Sequence, residues 1–387
     1  MARTYSIAIV AACPFPYTRG TPIRVLRMAE SLVARGHHVE VFTYHLGQAM
    51  EDLPFTIHRT PNLPTYHKFS AGPTYQKLFV LDTLLAASVF RALRSRRFDV
   101  IHAHHYEGLL ASLPAARLLK LPVVFDVHTL LSSELPHYSM GLPKPWLHWI
   151  GERFDHALPP RADHIVAVTN TIRERLMDRI GIAGDRITTV YTGLESEHFR
   201  RGQAARQPAP PDTLIYAGNL EPYQGIDLML KAFRLVLDRN PNVRLKIVSS
   251  SSLKPYEALI HQLGLEGQLD YSDVDYFHLP ERLHSAAIAL SPRVVCDGLP
   301  VKILNYMATG RAIVAFAGSA EVITDRETGL VVKDGDIAAF AEAILGLVER
   351  PEFARQLGQN AQSHVEEFFV WESAVKLLED IYQKVLK

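Results

Sequence analysis

Residues 5–43 read YSIAIVAACPFPYTRGTPIRVLRMAESLVARGHHVEVFT. Tyr5–Val10 is a short apolar, β-branched run, and so is His38–Thr43; the residues between them carry helical periodicity. Thr21 can cap that helix, Pro22 suits its first turn, and Gly36, after Ala34 and Arg35, supplies its stop. Strand, helix, strand in this space is the start of a parallel sheet. The pattern continues with predicted strands at Phe98–His102, Pro122–Val127, His164–Val168 and Ile187–Val190, separated by helical stretches.

Between Arg200 and Asp212 the sequence RRGQAARQPAPPD loses its hydrophobic periodicity and gains Gly, Pro and Gln, the composition of a linker. A second alternating series follows, with strands expected at Thr213–Ala217, Val243–Val248, Gln268–Tyr271, Ala287–Leu290, Ala312–Ala315 and Gly329–Val332. The reading is α/β, two Rossmann-like doubly wound parallel-sheet domains facing a central cleft: an acceptor-side domain at 1–199, a linker at 200–212 and a second domain at 213–370. Residues 371–387 form a last helix, whose stripe of Ala374, Val375, Leu378, Ile381, Tyr382 and Val385 calls for a packing partner; it is expected to fold back across the cleft. In such sheets ligands bind beyond the carboxyl ends of the strands, so the loops after the strands are the place to search.

Bulk properties narrow the function. Length of 387 residues suits two domains, and 48% apolar with 21% charged residues is globular composition. Forty-one basic residues balance 41 acidic ones, so no whole-chain field favours nucleic acid. The two cysteines, Cys13 and Cys296, are far apart and fit a reducing compartment better than a disulfide framework. The apolar start is too short for a signal peptide, and Asp82 and Arg91 interrupt the best candidate span, Leu78–Leu93; a cytoplasmic protein is expected.

Neither half carries the G-x-G-x-x-G fingerprint after its first strand, which argues against a nicotinamide or flavin enzyme. The first loop instead offers Arg19, Gly20 and the start of a helix at Thr21 and Pro22, where free amides can meet an anion. Taken in order, several segments carry a wider likeness: 20–43, DVIHAHHYEGLLA (99–111), VVFDVHTL (123–130), ADHIVAVTNTIRERL (162–176), ITTVYTGLESEHF (187–199), LIYAGNLEPYQGIDLMLKAF (214–233), DGLPVKILNYMATGRAIVA (297–315) and SAEVITDRETGLVV (319–332). The chain resembles the family-4 retaining glycosyltransferases of the GT-B fold (glycosyl transferases group 1), over nearly its whole length.

That resemblance implies a metal-independent hexosyltransferase that moves a sugar from a nucleotide-diphosphate donor, UDP- or GDP-linked, to an acceptor hydroxyl, with no cofactor. The acceptor is a glycan, a glycolipid or a small molecule, with lipid linkage one option. The family's G-R-L-x-x-x-K-G loop corresponds to Gly218-Asn219-Leu220-Glu221-Pro222-Tyr223-Gln224-Gly225, and both of its cations are missing. A diphosphate leaving group carries about two negative charges, so other donors are required. Arg293 and Lys302 are the candidates, with Arg24 a weaker third. The family's E-x7-E pair appears as Asp297 and Asn305. The first is implied to meet the transferred sugar, the second the ribose, where an amide oxygen still accepts a hydrogen bond; a side chain bonding local backbone is the plainer alternative for Asn305. Gly298, Leu299, Pro300 and Val301 complete the donor loop. His128 matches the first-domain histidine that meets the donor sugar.

His102, His104 and His105 suggest a metal, but successive strand residues point in alternating directions and cannot all face one ion; one of them lining the acceptor cleft is the better reading. Asp273/Asp275 and Asp334/Asp336 mimic a D-x-D metal motif; Asp336 reads better as a helix N-cap. Arg91, Arg94, Arg96 and Arg97, with Lys68 and Lys77, surround an apolar helix, which suits either peripheral membrane contact or a solvated basic end. Two other functions stay open: a catalytically weak nucleotide-sugar-binding subunit, suggested by the missing Arg, Lys and Glu, and a nucleotide-sugar epimerase on the same fold.

Overall fold

The structure is a computed structural model, and it describes residues 3–17, 21–48, 50, 52–69, 72, 74–138, 141–194, 199, 209–273, 278–295 and 301–387. The chain divides into two compact units, Met1–Gly193 with Trp371–Lys387, and Leu194–Val370. The first division falls at Gly193, a few residues ahead of the expected 199, and the C-terminal helix belongs to the first unit.

Unit 1 is a seven-stranded parallel sheet: β1 (Ser6–Ala11), β2 (His38–Thr43), β3 (Thr56–Arg59), β4 (Val100–His104), β5 (Val123–Val127), β6 (His164–Ala167) and β7 (Ile187–Thr189), in the order β3-β2-β1-β4-β5-β6-β7. Every expected strand forms. The added one, β3, is a four-residue edge strand, TIHR, whose polar positions hide it from a periodicity reading. Strand alternation sorts the core onto two faces: Ala8 and Val10 enter one cluster with Phe42, Ala103 and Phe125, while Ile7 and Ile9 enter another with Val41, Val100 and Val124.

The last helix, Trp371–Val385, covers that second face. It buries Trp371, Ala374, Val375, Leu378, Ile381 and Tyr382 against it, and each fully buried aliphatic side chain contributes about 1.5–3 kcal/mol. Arg35 and His37, just past the first helix (Thr21–Ala34), both pair with its Glu379, at 2.6 and 2.9 Å. Gly36 ends that first helix with φ of +92°, as its position predicted.

Unit 2 is a six-stranded parallel sheet: β8 (Thr213–Ala217), β9 (Arg244–Val248), β10 (Leu269–Ser272), β11 (Ile288–Ser291), β12 (Ala312–Phe316) and β13 (Leu330–Val332), in the order β10-β9-β8-β11-β12-β13. In both sheets the first strand lies inside, with successors on either side, which makes each doubly wound and creates a switch point beside β1 and β8. Among the described residues, no helix is long and apolar enough to cross a membrane.

Candidate active site

In unit 2 the switch-point loops gather a small set of polar groups. Gly218 follows β8 with φ of +152°, and a Cβ there would stand 3.1 Å from the Lys302 ammonium. The chain then makes a 3₁₀ turn over Pro222–Gln224 and leaves it through Gly225 at φ +73°. A side chain at 225 would strike the Pro292 carbonyl at 2.1 Å, so glycine is required and the loops after β8 and β11 touch there.

Lys302 sits in the first turn of the helix Val301–Ala308. Its ammonium donates to the Gln224 Oε1 at 2.5 Å and to the Tyr216 hydroxyl at 3.0 Å, and lies 4.5 Å from the Tyr216 ring centroid. Burial pushes the Tyr216 phenol up, so it stays neutral. Arg293 lies with its guanidinium 5.0 Å over the Tyr223 ring and donates through Nε to the Val295 carbonyl at 2.6 Å. Asn219 donates to the Tyr223 hydroxyl at 3.2 Å. Gly218, Asn219, Gln224, Arg293 and Lys302 are therefore brought together, through two tyrosines that nothing in the residue pattern singled out.

Val301 opens the helix and is 48% exposed. Asn305, one turn further, has its side-chain oxygen buried with no hydrogen-bond partner among the described residues. Asp297, Gly298, Leu299, Pro300, Cys296, Arg19 and Gly20 lie outside the described residues, as does Asp275. Asp336 caps the helix Ile337–Val348 by accepting from the Ala339 amide at 2.9 Å, and Asp334 accepts from Gly318, so this pair is structural.

Unit 1 presents a different arrangement at the carboxyl ends of β4 and β5. Asp126, on β5, is fully buried opposite His104 of β4. Its Oδ2 accepts from Arg24 at 3.0 Å, and its carboxylate oxygens lie 3.5 Å from the His102 Nε2, 3.8 Å from the His104 Nδ1 and 3.4 Å from the His128 Nε2. Burial alone would raise its pKa; Arg24 and the imidazoles hold it well below the usual carboxylate range. Arg24 is 2% exposed and donates onward to Thr192 and the Val190 carbonyl, each at 3.0 Å. It is a buried counter-ion, which removes it as a diphosphate ligand.

His128 follows β5 and is only slightly exposed, at 11% of its side chain. Its Nε2 is 3.2 Å from the His104 Nδ1 and its Nδ1 is 3.3 Å from the Thr21 hydroxyl, which also meets the His105 Nε2 at 2.7 Å. Thr21 thus joins two imidazoles. Burial lowers the pKa of both His104 and His128 well below the ordinary histidine range, so both rings are neutral at pH 7.

His102 and His104 share one face of β4, and with Asp126 they place potential ligand atoms within 4.8 Å of one another. The alternation argument against a shared ion therefore fails for this pair. Arg24 replaces it with a better one: the guanidinium already occupies the Asp126 Oδ2, and a metal cation beside it would meet like charge in a dry site. The second orienting group is Tyr382 of the last helix, 2.7 Å from the His102 Nδ1.

Residues 18–198 match the model described as Glycosyltransferase Family 4, and residues 201–364 that described as Glycosyl transferases group 1. The D-inositol 3-phosphate glycosyltransferase 2 of Catenulispora acidiphila is 26% identical over 396 residues, covering 95% of this chain and 90% of the relative. The D-inositol 3-phosphate glycosyltransferase of Acidothermus cellulolyticus is 28% identical over 394 residues, with 95% and 86% covered. Among solved structures, sucrose-phosphate synthase from Thermosynechococcus elongatus shares the fold with a TM-score of 0.77 at 20% identity, over 99% of each chain. HepE of Anabaena in complex with UDP gives 0.75 at 16% identity, over 98% of this chain and 100% of that one.

Proposed function

Because this chain belongs to the family-4 glycosyltransferases of the GT-B fold, we propose that it is a retaining, metal-independent hexosyltransferase whose donor is a nucleotide-diphosphate sugar, UDP-linked in the first instance. The observation that carries the reading is the place of Lys302. Gln224 and Asn219 stand where the family pattern has a lysine and an arginine. The Lys302 ammonium lies 2.5 Å from the Gln224 side chain, and Arg293 lies over Tyr223, to which Asn219 bonds. Both cations are re-sited beside the positions that lost them, where they can stabilise the departing diphosphate. HepE, solved with UDP and separately with UDP-glucose, supports the choice of nucleotide.

Asn305 then accepts from the ribose, Asp297 and His128 meet the transferred sugar, and the departing phosphate oxygen takes the proton of the acceptor hydroxyl as the new glycosidic bond forms on the same face. The Arg24 guanidinium on the Asp126 Oδ2 supports independence from metal, because a cation there would meet like charge.

We extend the reading to a lipid-linked acceptor reached from the cytoplasmic side by peripheral membrane contact. The support is two pairs of exposed aromatic side chains in unit 1, the stacked Tyr75 and Phe79 at 79% and 71% exposure and Trp146 and Trp149 at 64% and 55%. The basic end of the helix Asp82–Ser95 contributes less than its sequence suggested, since Arg96 pairs with Glu40 and Lys77 with Glu107.

Thermal unfolding with UDP, GDP, ADP and their sugar conjugates tests the donor. A ligand at about 100 times its dissociation constant adds roughly 2.7 kcal/mol to the fold that binds it. Stabilisation by a uridine compound, followed by release of UDP from its sugar conjugate, is expected. Stabilisation without any turnover would favour the binding-subunit reading, and no response to any nucleotide would end the proposal.

A further inference from the structure

His105 opens the helix His105–Leu119 directly after β4, with φ of +60°. This is the left-handed region, which glycine enters freely; asparagine, aspartate and histidine are the side chains met there most often, and each still crowds its Cβ. A histidine held there has to be over-determined by its surroundings, and such residues collect where a side chain is being aimed.

The aim is visible in the geometry. Were β4 to continue as extended chain, position 105 would point away from the face that His104 shares with His102. The left-handed turn breaks the alternation, so the rings of His104 and His105 both reach His128, with centroids 5.5 and 4.3 Å from it. His105 stacks on His128 with an interplanar angle of 22°. At the same time its Nε2 meets the Thr21 hydroxyl at 2.7 Å, and that hydroxyl meets the His128 Nδ1 at 3.3 Å. His105 therefore grips His128 by its face and, through Thr21, by its edge.

One direction of hydrogen bonding suits the carboxylate. With the His128 proton on Nε2, that N–H faces the Asp126 Oδ1 at 3.4 Å and the His104 Nδ1 at 3.2 Å. Nδ1 then accepts from the Thr21 hydroxyl, which in turn accepts from the His105 Nε2–H. The opposite order would turn a lone pair of His128 toward a carboxylate.

We propose that His105 is a positioning residue: it holds the His128 imidazole in one tautomer and one orientation toward the transferred sugar, and its left-handed backbone is the conformational cost of that grip. The proposal rests on the reading of His128 as the residue that meets the donor sugar. It adds a residue that touches neither sugar nor diphosphate in that reading and acts only through His128.

His105→Gly and His105→Asn relieve the backbone, and His105→Phe keeps the stack but loses the bond to Thr21. Thermal unfolding, histidine ring 1H–15N spectra, and UDP release with UDP-glucose as the donor probe separate the roles. The Gly and Asn variants are expected to melt at the wild-type temperature or about 2–4 °C above it. Their His128 ring nitrogens should move from single-tautomer toward averaged shifts, and kcat should fall about 10- to 100-fold with KM for the donor little changed. His105→Phe should fall between wild type and these. Variants that melt lower, keep the wild-type His128 spectrum and keep kcat would make His105 a packing residue and overturn the proposal. If wild type releases no UDP from UDP-glucose while the spectra respond as expected, the donor reading fails and the positioning of His128 stands.

Discussion

The two units use charge in opposite ways. In unit 1 the charge is buried and cancelled: Arg24 at 2% exposure and Asp126 at 0% face each other, with three imidazoles around the carboxylate. In unit 2, Lys302 in the first turn of its helix and Arg293 in the loop after β11 lie against tyrosine rings and meet side-chain or backbone oxygens. Cancelled charge in a dry site holds a shape; a cation beside the loops of a switch point stands where a ligand's anion binds. The contrast says which substitutions should damage the fold and which the reaction.

Breaking the buried pair should have the largest effect. Asp126→Ala leaves the Arg24 guanidinium uncompensated in a dry site, and is expected to cost about 3–5 kcal/mol in unit 1. The joint change Arg24→Met with Asp126→Leu should recover most of that loss, because it removes both charges. All three tryptophans, Trp146, Trp149 and Trp371, lie in unit 1, so tryptophan emission during urea unfolding follows that unit alone. A single variant as stable as the wild type would show that the pair is not dry.

Acid should weaken the same unit next. His104 and His128 have pKa values depressed by burial, whereas in the unfolded chain they take protons near pH 6.5. The fold therefore binds fewer protons than the unfolded chain below about pH 6.5, and stability falls as pH falls. Each such histidine contributes about 1.4 kcal/mol per pH unit over that window. His164, lowered to about 4, joins them down to that pH. The urea midpoint of the tryptophan signal should drop steadily from pH 7 to pH 5. A flat midpoint would mean that these rings are solvated.

Lys302→Ala turns the test to unit 2. Turnover is expected to fall about 100-fold, the effect of removing one donor to a developing oxyanion. The urea midpoint read by far-UV circular dichroism should stay near that of the wild type if the lysine serves the ligand rather than the fold. Loss of stability with retained turnover would reverse the assignment of the two units.

How far the residues alone foretell this depends on the range of the interaction. The strands were legible because each is a β-branched run between helical stretches, and β3 was not because TIHR is half polar. Lys302 can be named because the 218–225 loop lacks its two cations and Lys302 stands in the first turn of a helix, where a diphosphate can be met. Arg24 reads as a ligand cation for the reverse reason: its partner lies 102 positions away, where the residues around the first helix give no sign of it. Ideal strand alternation is all that sequence offers for the His102/His104/His105 cluster, and a left-handed backbone at His105 cannot be seen in residue identities. Tyr216 and Tyr223 carried no signal because each is an ordinary aromatic until the loops fold together.

Asn305 gives the smallest and most discriminating test. Its amide oxygen is buried with no partner among the described residues, and an unsatisfied buried acceptor costs about 1–3 kcal/mol. If that oxygen serves the helix, replacing it should be harmful or neutral to stability and irrelevant to nucleotide. If it waits for a ribose hydroxyl, Asn305→Leu should leave the ligand-free protein as stable as the wild type or slightly more so. UDP affinity, read by calorimetry, should then fall by about tenfold, the worth of one neutral hydrogen bond at the upper end of its range. Only the reading in which the oxygen waits for a ribose hydroxyl predicts weaker UDP binding without a loss of stability, so a single variant measured with and without UDP decides between them.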